Sequence, residues 1–330
     1  MDTSMNIQVG QPLITIIVPV FNTAPFLEPC LKSIIEQTYT HWEALLIDDA
    51  STDGLSLSIC NEWGRRDERF RVLSLPENKG ISYVRNQGLS LAQGQFITFL
   101  DSDDFLSSNH LSSLLEGVEQ SNCEVAVTGF LHCTVEGRVK KRLYAKVRKG
   151  YTWSKSEALK ALLMDRKLTS HLCNKLFDKK LFEGITFPVG QVYEDFSIML
   201  PLIERANGVV HTGGYTYYYR RHNASITKVT TPKHLMDFFI ANEERYHYLL
   251  RENDAISSRE RALLRLWYEK TLVRVHYEAQ HLPASEERDV SLLHMSLSLK
   301  QIGIKEIKHC YRLCMLGYSL RKRYYESLLK

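Results

Sequence analysis

Phe96-Ile97-Thr98-Phe99-Leu100-Asp101-Ser102-Asp103-Asp104 runs from an apolar, β-branched segment straight into three carboxylates. Gly94 on one side and polar residues on the other bound the apolar run, which predicts a buried strand. Carboxylates crowded at a strand end repel one another and raise each other's pKa unless a cation sits among them. Such a set suits a hard divalent ion at the carboxyl end of a strand, where open α/β sheets bind ligands. Ser and Asp are also good N-caps, so the same residues would serve a following helix.

Upstream, Ile14 to Val20 predicts a first central strand that Pro19 should end or bulge. Ala24 to Thr38 carries Leu27, Leu31, Ile34 and Ile35 on one helical face. Trp42 to Asp48 reads as a second strand, closed by Asp48-Asp49-Ala50-Ser51-Thr52-Asp53-Gly54. Leu55 to Arg66 (helix), Phe70 to Leu75 (strand) and Gly80 to Gln93 (helix) follow. Strands and helices alternating in this way predict an α/β, doubly wound and largely parallel sheet. Past Asp104 the reading is a helix over His110 to Gln120, a strand over Glu124 to Gly129 and a basic hairpin over Phe130 to Val147 around Gly137. Ser154 and Glu157 form a capping box ahead of a helix to Met164. Short helices are expected over His171 to Phe182 and Glu194 to Ala206, and an aromatic strand over Val209 to Arg220. From Pro232 to Lys330 the character is helical, which divides the chain into 1–230 and a C-terminal helical region, 231–330.

At 330 residues, 24% charged and 44% hydrophobic, the composition is that of ordinary soluble proteins. The net charge of +4 is too weak to imply nucleic acid. No apolar run approaches the roughly 20 residues that span a bilayer. Met1 to Pro12 lacks the succession of a secretory signal. The seven cysteines (Cys30, Cys60, Cys123, Cys133, Cys173, Cys310, Cys314) are scattered and make no CxxC pair, which predicts reduced thiols in a cytoplasmic protein.

The strand ends at Pro19 to Asn22, Asp48-Asp49 and Asp101 to Asp103 should lie side by side, making a crevice rich in carboxylates. G-x-G-x-x-G and the P-loop pattern are both absent after the first strand. Phosphates would then need a cation to bridge them to the acids. Val18-Pro-Val-Phe-Asn22, Ile47-Asp-Asp-Ala-Ser-Thr-Asp-Gly54, Asn78-Lys-Gly-Ile-Ser-Tyr-Val-Arg-Asn86 and Phe99-Leu-Asp-Ser-Asp-Asp104 resemble family 2 glycosyltransferases of the bacterial surface-polysaccharide type. The later segment from Asn174-Lys175-Leu176-Phe177 through Phe187-Pro188 to Tyr193-Glu194-Asp195 resembles the acceptor half of that family.

The resemblance implies a GT-A fold, Rossmann-like with helices on both faces of the sheet, over 1–230: a nucleotide-binding half, 1–105, and an acceptor half, 106–230. It implies inverting transfer of a hexose or N-acetylhexosamine from a UDP-sugar to a capsule, lipopolysaccharide or similar glycan. Pro19, Val20, Phe21 and Asn22 would line the base and ribose, and Asp49 would accept from the uracil N3–H. Asp101 would face the ribose and the cation, and Asp103 would ligate Mn²⁺ or Mg²⁺ on the diphosphate. Lys79, Asn86, Ser102 and Arg221 complete the expected nucleotide-sugar site, and His222 is a candidate further metal ligand that also reads as a structural histidine. Arg85 and Asn86 would equally sit on a charged stripe of an amphipathic helix. Asp195 would be the general base, with Glu194 in reserve; outside the family context Asp195 reads as an acid complementing a helix dipole.

The segment from Lys305 to Lys330 is basic and interleaved with Leu313, Leu316, Tyr318, Leu320, Tyr324 and Leu328. It suits the anionic inner face of a membrane, where an oligosaccharide acceptor would be lipid-linked. It equally suits packing on its own domain or on another subunit of a homo-oligomer. Among rival readings, a nucleotide-sugar-forming transferase lacks its Gly-rich basic loop, and a processive synthase lacks spanning helices and Gln-x-x-Arg-Trp. A catalytically silent nucleotide-sugar or glycan-binding scaffold is separated only by turnover.

Overall fold

The computed structural model describes residues 10–143, 147–165, 167–222, 230–251 and 255–304. The chain forms two compact units: Met1–Trp153 with His171–Val189 and Arg205–Arg221, and Ser154–Ser170 with Gly190–Glu204 and His222–Lys330.

The first unit is built on one mixed sheet. Its strands are β1 (Ile14–Val20), β2 (Trp42–Asp48), β3 (Phe70–Ser74), β4 (Phe96–Phe99), β5 (Phe105–Leu106), β6 (Val125–Cys133), β7 (Val139–Leu143), β8 (Tyr151–Ser154), β9 (Lys175–Asp178) and β10 (Gly208–Arg220). The order is β3-β2-β1-β4-β9-β6-β10-β5, with β7 on β6 and β8 on β10. Helices α1 (Ala24–Ile35), α2 (Ser56–Arg66), α3 (Ile81–Leu91) and α4 (His110–Ser121) alternate with the strands as expected. β3, β2, β1 and β4 are parallel neighbours, and their near-continuous apolar runs are what a sheet buried on both faces requires.

β1 pairs with β2 through Pro19 and Val20, so Pro19 neither ends nor bulges it. The pairing with β4 stops at Ile17 with Phe99, and Val20 faces β2, whose following residue Asp49 donates to the Val20 carbonyl. Pro19 therefore points toward the side that β4 has already left, and its missing N–H costs no ladder bond.

The expected helix over His171 to Phe182 is a second correction: Lys175–Asp178 is strand β9, followed by a 3₁₀ turn over Lys179–Phe182. β9 lies antiparallel between β4 and β6. Leu176 and Phe177 are fully buried there, and the Lys175 ammonium bonds the His171 carbonyl and the Asn174 side-chain oxygen. A four-residue segment with two apolar positions has no period to distinguish helix from strand, and the open slot between two strands decides it. The basic hairpin is present, with β7 antiparallel to β6 and Gly137 in the turn. The five described cysteines are free and buried; Cys310 and Cys314 lie outside the described residues.

The second unit contains α5 (Lys155–Leu163), most of α6 (Glu194–Arg205), α7 (Pro232–Tyr248), α8 (Ser258–Gln280) and α9 (Glu286–Gln301). The capping box at Ser154 and Glu157 forms as read, and α7 packs on both α8 and α9. Thr231 caps α7, so we propose residue 231 as the start of the C-terminal helical region, although 154–170 and 190–204 also belong to this compact unit. Among the described residues no helix is long and apolar enough to cross a membrane. The basic segment 305–330 lies outside the described residues.

Candidate active site

Side chains tie together the loops that leave β1, β2 and β4. Asn22, at positive φ, accepts from the Thr52 and Asp53 amides at 2.7 and 3.1 Å, and its own N–H donates to Ser51 Oγ. Thr23 donates its amide to Ser56 Oγ and its hydroxyl to Ser102 Oγ, 2.9 Å away. Asp53 accepts from the Ser56 amide and hydroxyl at 2.9 and 2.6 Å and from the Leu55 and Ala24 amides. Burial pushes its carboxyl up, but these donors outweigh burial and hold it below the usual range. Asp53 is thus a loop fastener.

Asp49 is buried and fixes the entry to α3, accepting from Lys79 N at 2.7 Å and Gly80 N at 2.8 Å, one bond per oxygen. Gly80 sits at φ 81°, where a side chain would be strained. A carboxylate against unpaired amides at a helix start satisfies donors that the helix leaves open. Each oxygen keeps a second lone pair. Beside it, Asp48 Oδ2 accepts from Ser51 N, whereas its buried Oδ1 has no partner.

The three acids after β4 differ in environment. Asp104 is fully buried, its two oxygens taken by Tyr217 OH (2.7 Å) and Arg220 N (2.8 Å). Burial, then the charges of Asp103 and Asp101, push its carboxyl well up. Asp101 is more exposed and receives Arg85 Nη2 at 3.2 Å. Arg85 is only 5% exposed and lies 5.7 Å from the centres of the Phe99 and Phe187 rings. It is therefore an internal cation aimed at the acid cluster and not part of a solvated stripe. Asp103 is half-exposed. α4 takes Asn109 as its N-cap, so Ser102 to Asp104 do not cap it, and β5 intervenes.

Among the described residues no three His, Cys, Asp or Glu side chains form a closed metal cage. A Mg²⁺-like ion needs none when phosphates supply most of its oxygens, because one or two carboxylates suffice. Asp103 with Asp101 fits that requirement: both are hard oxygen donors and both are only partly buried.

The remaining expected residues divide. Val20 is buried, Phe21 exposed and Pro19 half-exposed at the tip of β1. Lys79 is exposed and ion-paired with Glu77. Asn86 spends both side-chain groups on Phe187, donating to its carbonyl (2.9 Å) and accepting from its amide (2.8 Å). Arg221 is exposed, whereas Arg220 is buried over the Phe105 and Phe26 rings. Glu194, Asp195 and the half-buried His222 belong to the second unit. Glu194 and Asp195 occupy the first turn of α6, where the dipole favours negative charge. Sequence reasoning missed Asp104, Tyr217 and Arg220 as a fastening of β10 to the acidic loop; the only sequence signal is a third acid beyond the D-x-D pair.

Replacing Arg85 with Met is expected to destabilise the protein by about 1.5–3 kcal/mol, the usual worth of a hydrogen bond to a charged group. Asp101→Asn in the same background should recover part of that loss in thermal melts. Strictly additive effects of the two substitutions contradict the pairing.

Residues 15–186 match the glycosyl transferase family 2 profile. GlyG, a glycosyltransferase of Streptococcus pneumoniae, is 30% identical over 225 residues, which cover 66% of this chain and 73% of GlyG. TuaG of Bacillus subtilis, a putative teichuronic acid biosynthesis glycosyltransferase, is 28% identical over 241 residues, 72% of this chain and 91% of TuaG. The crystal structure of S. aureus TarS 1–349 in complex with UDP-GlcNAc superposes with a TM-score of 0.71 at 19% identity, covering 93% of this chain and 91% of that one. At that identity the likeness shows a shared fold, the GT-A type with its mixed sheet and C-terminal helices. The profile takes in β1 to β4, the loops that fasten the acids at their tips, and β9, and on that match the chain belongs to glycosyl transferase family 2 and is a glycosyltransferase.

Proposed function

We propose that this glycosyltransferase moves a hexose or N-acetylhexosamine from a UDP-sugar to a surface glycan, with inversion, a divalent ion and Asp195 as general base. The observation that carries the reading is the division of labour among the acids after β4: Asp104 locked inward, Asp101 held by Arg85, Asp103 half-exposed beside them. The UDP-GlcNAc complex of TarS and the teichuronic acid assignment of TuaG support the donor and acceptor classes.

In this reading Pro19 to Asn22 line the base and ribose. Asp49 accepts from the uracil N–H through a free lone pair, and the orphaned Asp48 Oδ1 is a second acceptor beside it. Lys79, Ser102 and Arg221 face the nucleotide sugar, while Asn86 acts through the Phe187 backbone it clamps. Asp101 and Asp103 would hold Mn²⁺ or Mg²⁺, with His222 as an added ligand. Bound there, the ion supplies Lewis-acid stabilisation of the charge that builds on the leaving diphosphate. Asp195 takes the proton of the attacking acceptor hydroxyl, and one in-line displacement inverts the anomeric carbon. The enzyme would work in the cytoplasm on an oligosaccharide acceptor, lipid-linked at the inner membrane face.

The test is a panel of UDP- and GDP-sugars with Mn²⁺, Mg²⁺ or chelator, followed by nucleotide release. UDP release that needs a cation is the expected result. Turnover of GDP-sugars alone contradicts the donor class, and no turnover with any donor and acceptor favours a binding scaffold.

A further inference from the structure

The segment that leads to Glu194 and Asp195 is held by one face of α7. Lys233 Nζ donates to the Gly190 carbonyl at 2.6 Å and pairs with Asp237 at 2.9 Å. Asp237 in turn accepts from Val192 N at 3.0 Å. Ser197 Oγ donates to Glu244 at 2.8 Å. The rings of Tyr193 and Phe196 both lie against Phe238, with centroids 5.0 and 5.8 Å away.

The innermost contact is Arg245. It is 1% exposed and has no carboxylate partner among the described residues. Its guanidinium carbon lies 3.9 Å over the Phe196 ring, and Nη2 donates to the Phe196 carbonyl (3.1 Å) and to Ser170 Oγ (2.6 Å). Ser170 is itself anchored, since its amide and hydroxyl donate to Asp165 Oδ1. Nε and Nη1 make no close hydrogen bond, and the other polar group beside the guanidinium is the buried Tyr268 hydroxyl. A buried cation that reaches its nearest carboxylate, Asp165, only through the Ser170 hydroxyl costs stability that a packed apolar side chain does not. Stability alone therefore does not account for it. What the planar fork adds is direction: it fixes the ring and the carbonyl of one residue at once. That residue follows Asp195 directly, and the Phe196 amide donates to Asp195 Oδ1 at 2.8 Å.

We propose that Arg245 is a positioning residue for Asp195, setting through Phe196 the rotation of the first turn of α6 so that the carboxylate meets the acceptor hydroxyl. The proposal rests on Asp195 being the base. A displacement of about 1 Å at a reacting group costs on the order of 10²-fold in rate.

The test measures UDP release from whichever of UDP-glucose, UDP-galactose, UDP-GlcNAc and UDP-GalNAc the full-length wild type turns over fastest. It compares wild type, Arg245→Met, Arg245→Lys, Phe196→Leu and Asp195→Asn, with far-UV melts alongside. For Arg245→Met and Phe196→Leu, kcat should fall roughly 10- to 100-fold, with donor KM and UDP affinity within about twofold of wild type. Arg245→Lys should recover little, because an ammonium neither stacks nor forks. A folded Arg245→Met with wild-type kcat, or one that loses only KM, overturns the proposal while an inactive Asp195→Asn leaves the base standing. Full activity in Asp195→Asn overturns both. Should Arg245→Met not fold, Phe196→Leu and Asp237→Asn decide on the same criterion.

Discussion

Asp195→Asn is expected to lower transfer to a sugar acceptor by about 10²–10⁴-fold, the usual worth of general-base assistance. The substitution preserves shape, and Asn can still accept from the Phe196 amide, so α6 keeps its first turn. What disappears is an oxygen able to take a proton, together with a negative charge at a helix start worth about 0.3–1 kcal/mol of stability. UDP affinity should not change, because Asp195 is assigned no nucleotide contact. The loss should appear in kcat and kcat/KM alike, the mark of an interaction made only in the transition state. Turnover within a few-fold of wild type contradicts the assignment and turns attention to Glu194, which is buried beside it.

Asp103→Ala should reduce turnover on the order of 10²–10³-fold, as when one preorganised stabiliser of transition-state charge is removed. Asp104 is locked by Tyr217 and Arg220 and Asp101 is paired with Arg85, whereas Asp103 is half-exposed and is the acid assigned to the ion. Its removal also takes a charge away from the buried Asp104, whose carboxyl is pushed up by burial first and by Asp103 and Asp101 after it. The variant should therefore fold at least as well as wild type, which separates a catalytic loss from a structural one. Residual activity insensitive to Mn²⁺ fits this account; wild-type activity with an unchanged Mn²⁺ requirement does not.

Much of this was legible in the sequence because its signals are local. β-branched runs between Gly, Pro and Asp define β1, β2 and β4, and parallel pairing brings their tips together. What escaped depends on partners distant in the chain. β9 is a strand because β4 and β6 leave a slot for it. Arg85 has no special neighbours in sequence, and its internal place comes from Phe99, Asp101 and Phe187. Asn86 bonds the Phe187 backbone, a contact 101 positions away that its own neighbours do not announce. Asp104 differs from Asp103 only through β10, which supplies Tyr217 and Arg220.

The most direct test of the central claim, that acids at neighbouring strand tips share a divalent ion and hold a sugar nucleotide through it, is calorimetric titration of UDP with Mn²⁺ and with chelator. Wild type should bind UDP at least about tenfold more tightly with Mn²⁺, the scale of effect that metal-site partners carry, and Asp103→Ala should lose the difference. Equal affinity of wild type under both conditions, or a Mn²⁺ gain that survives in Asp103→Ala, contradicts it.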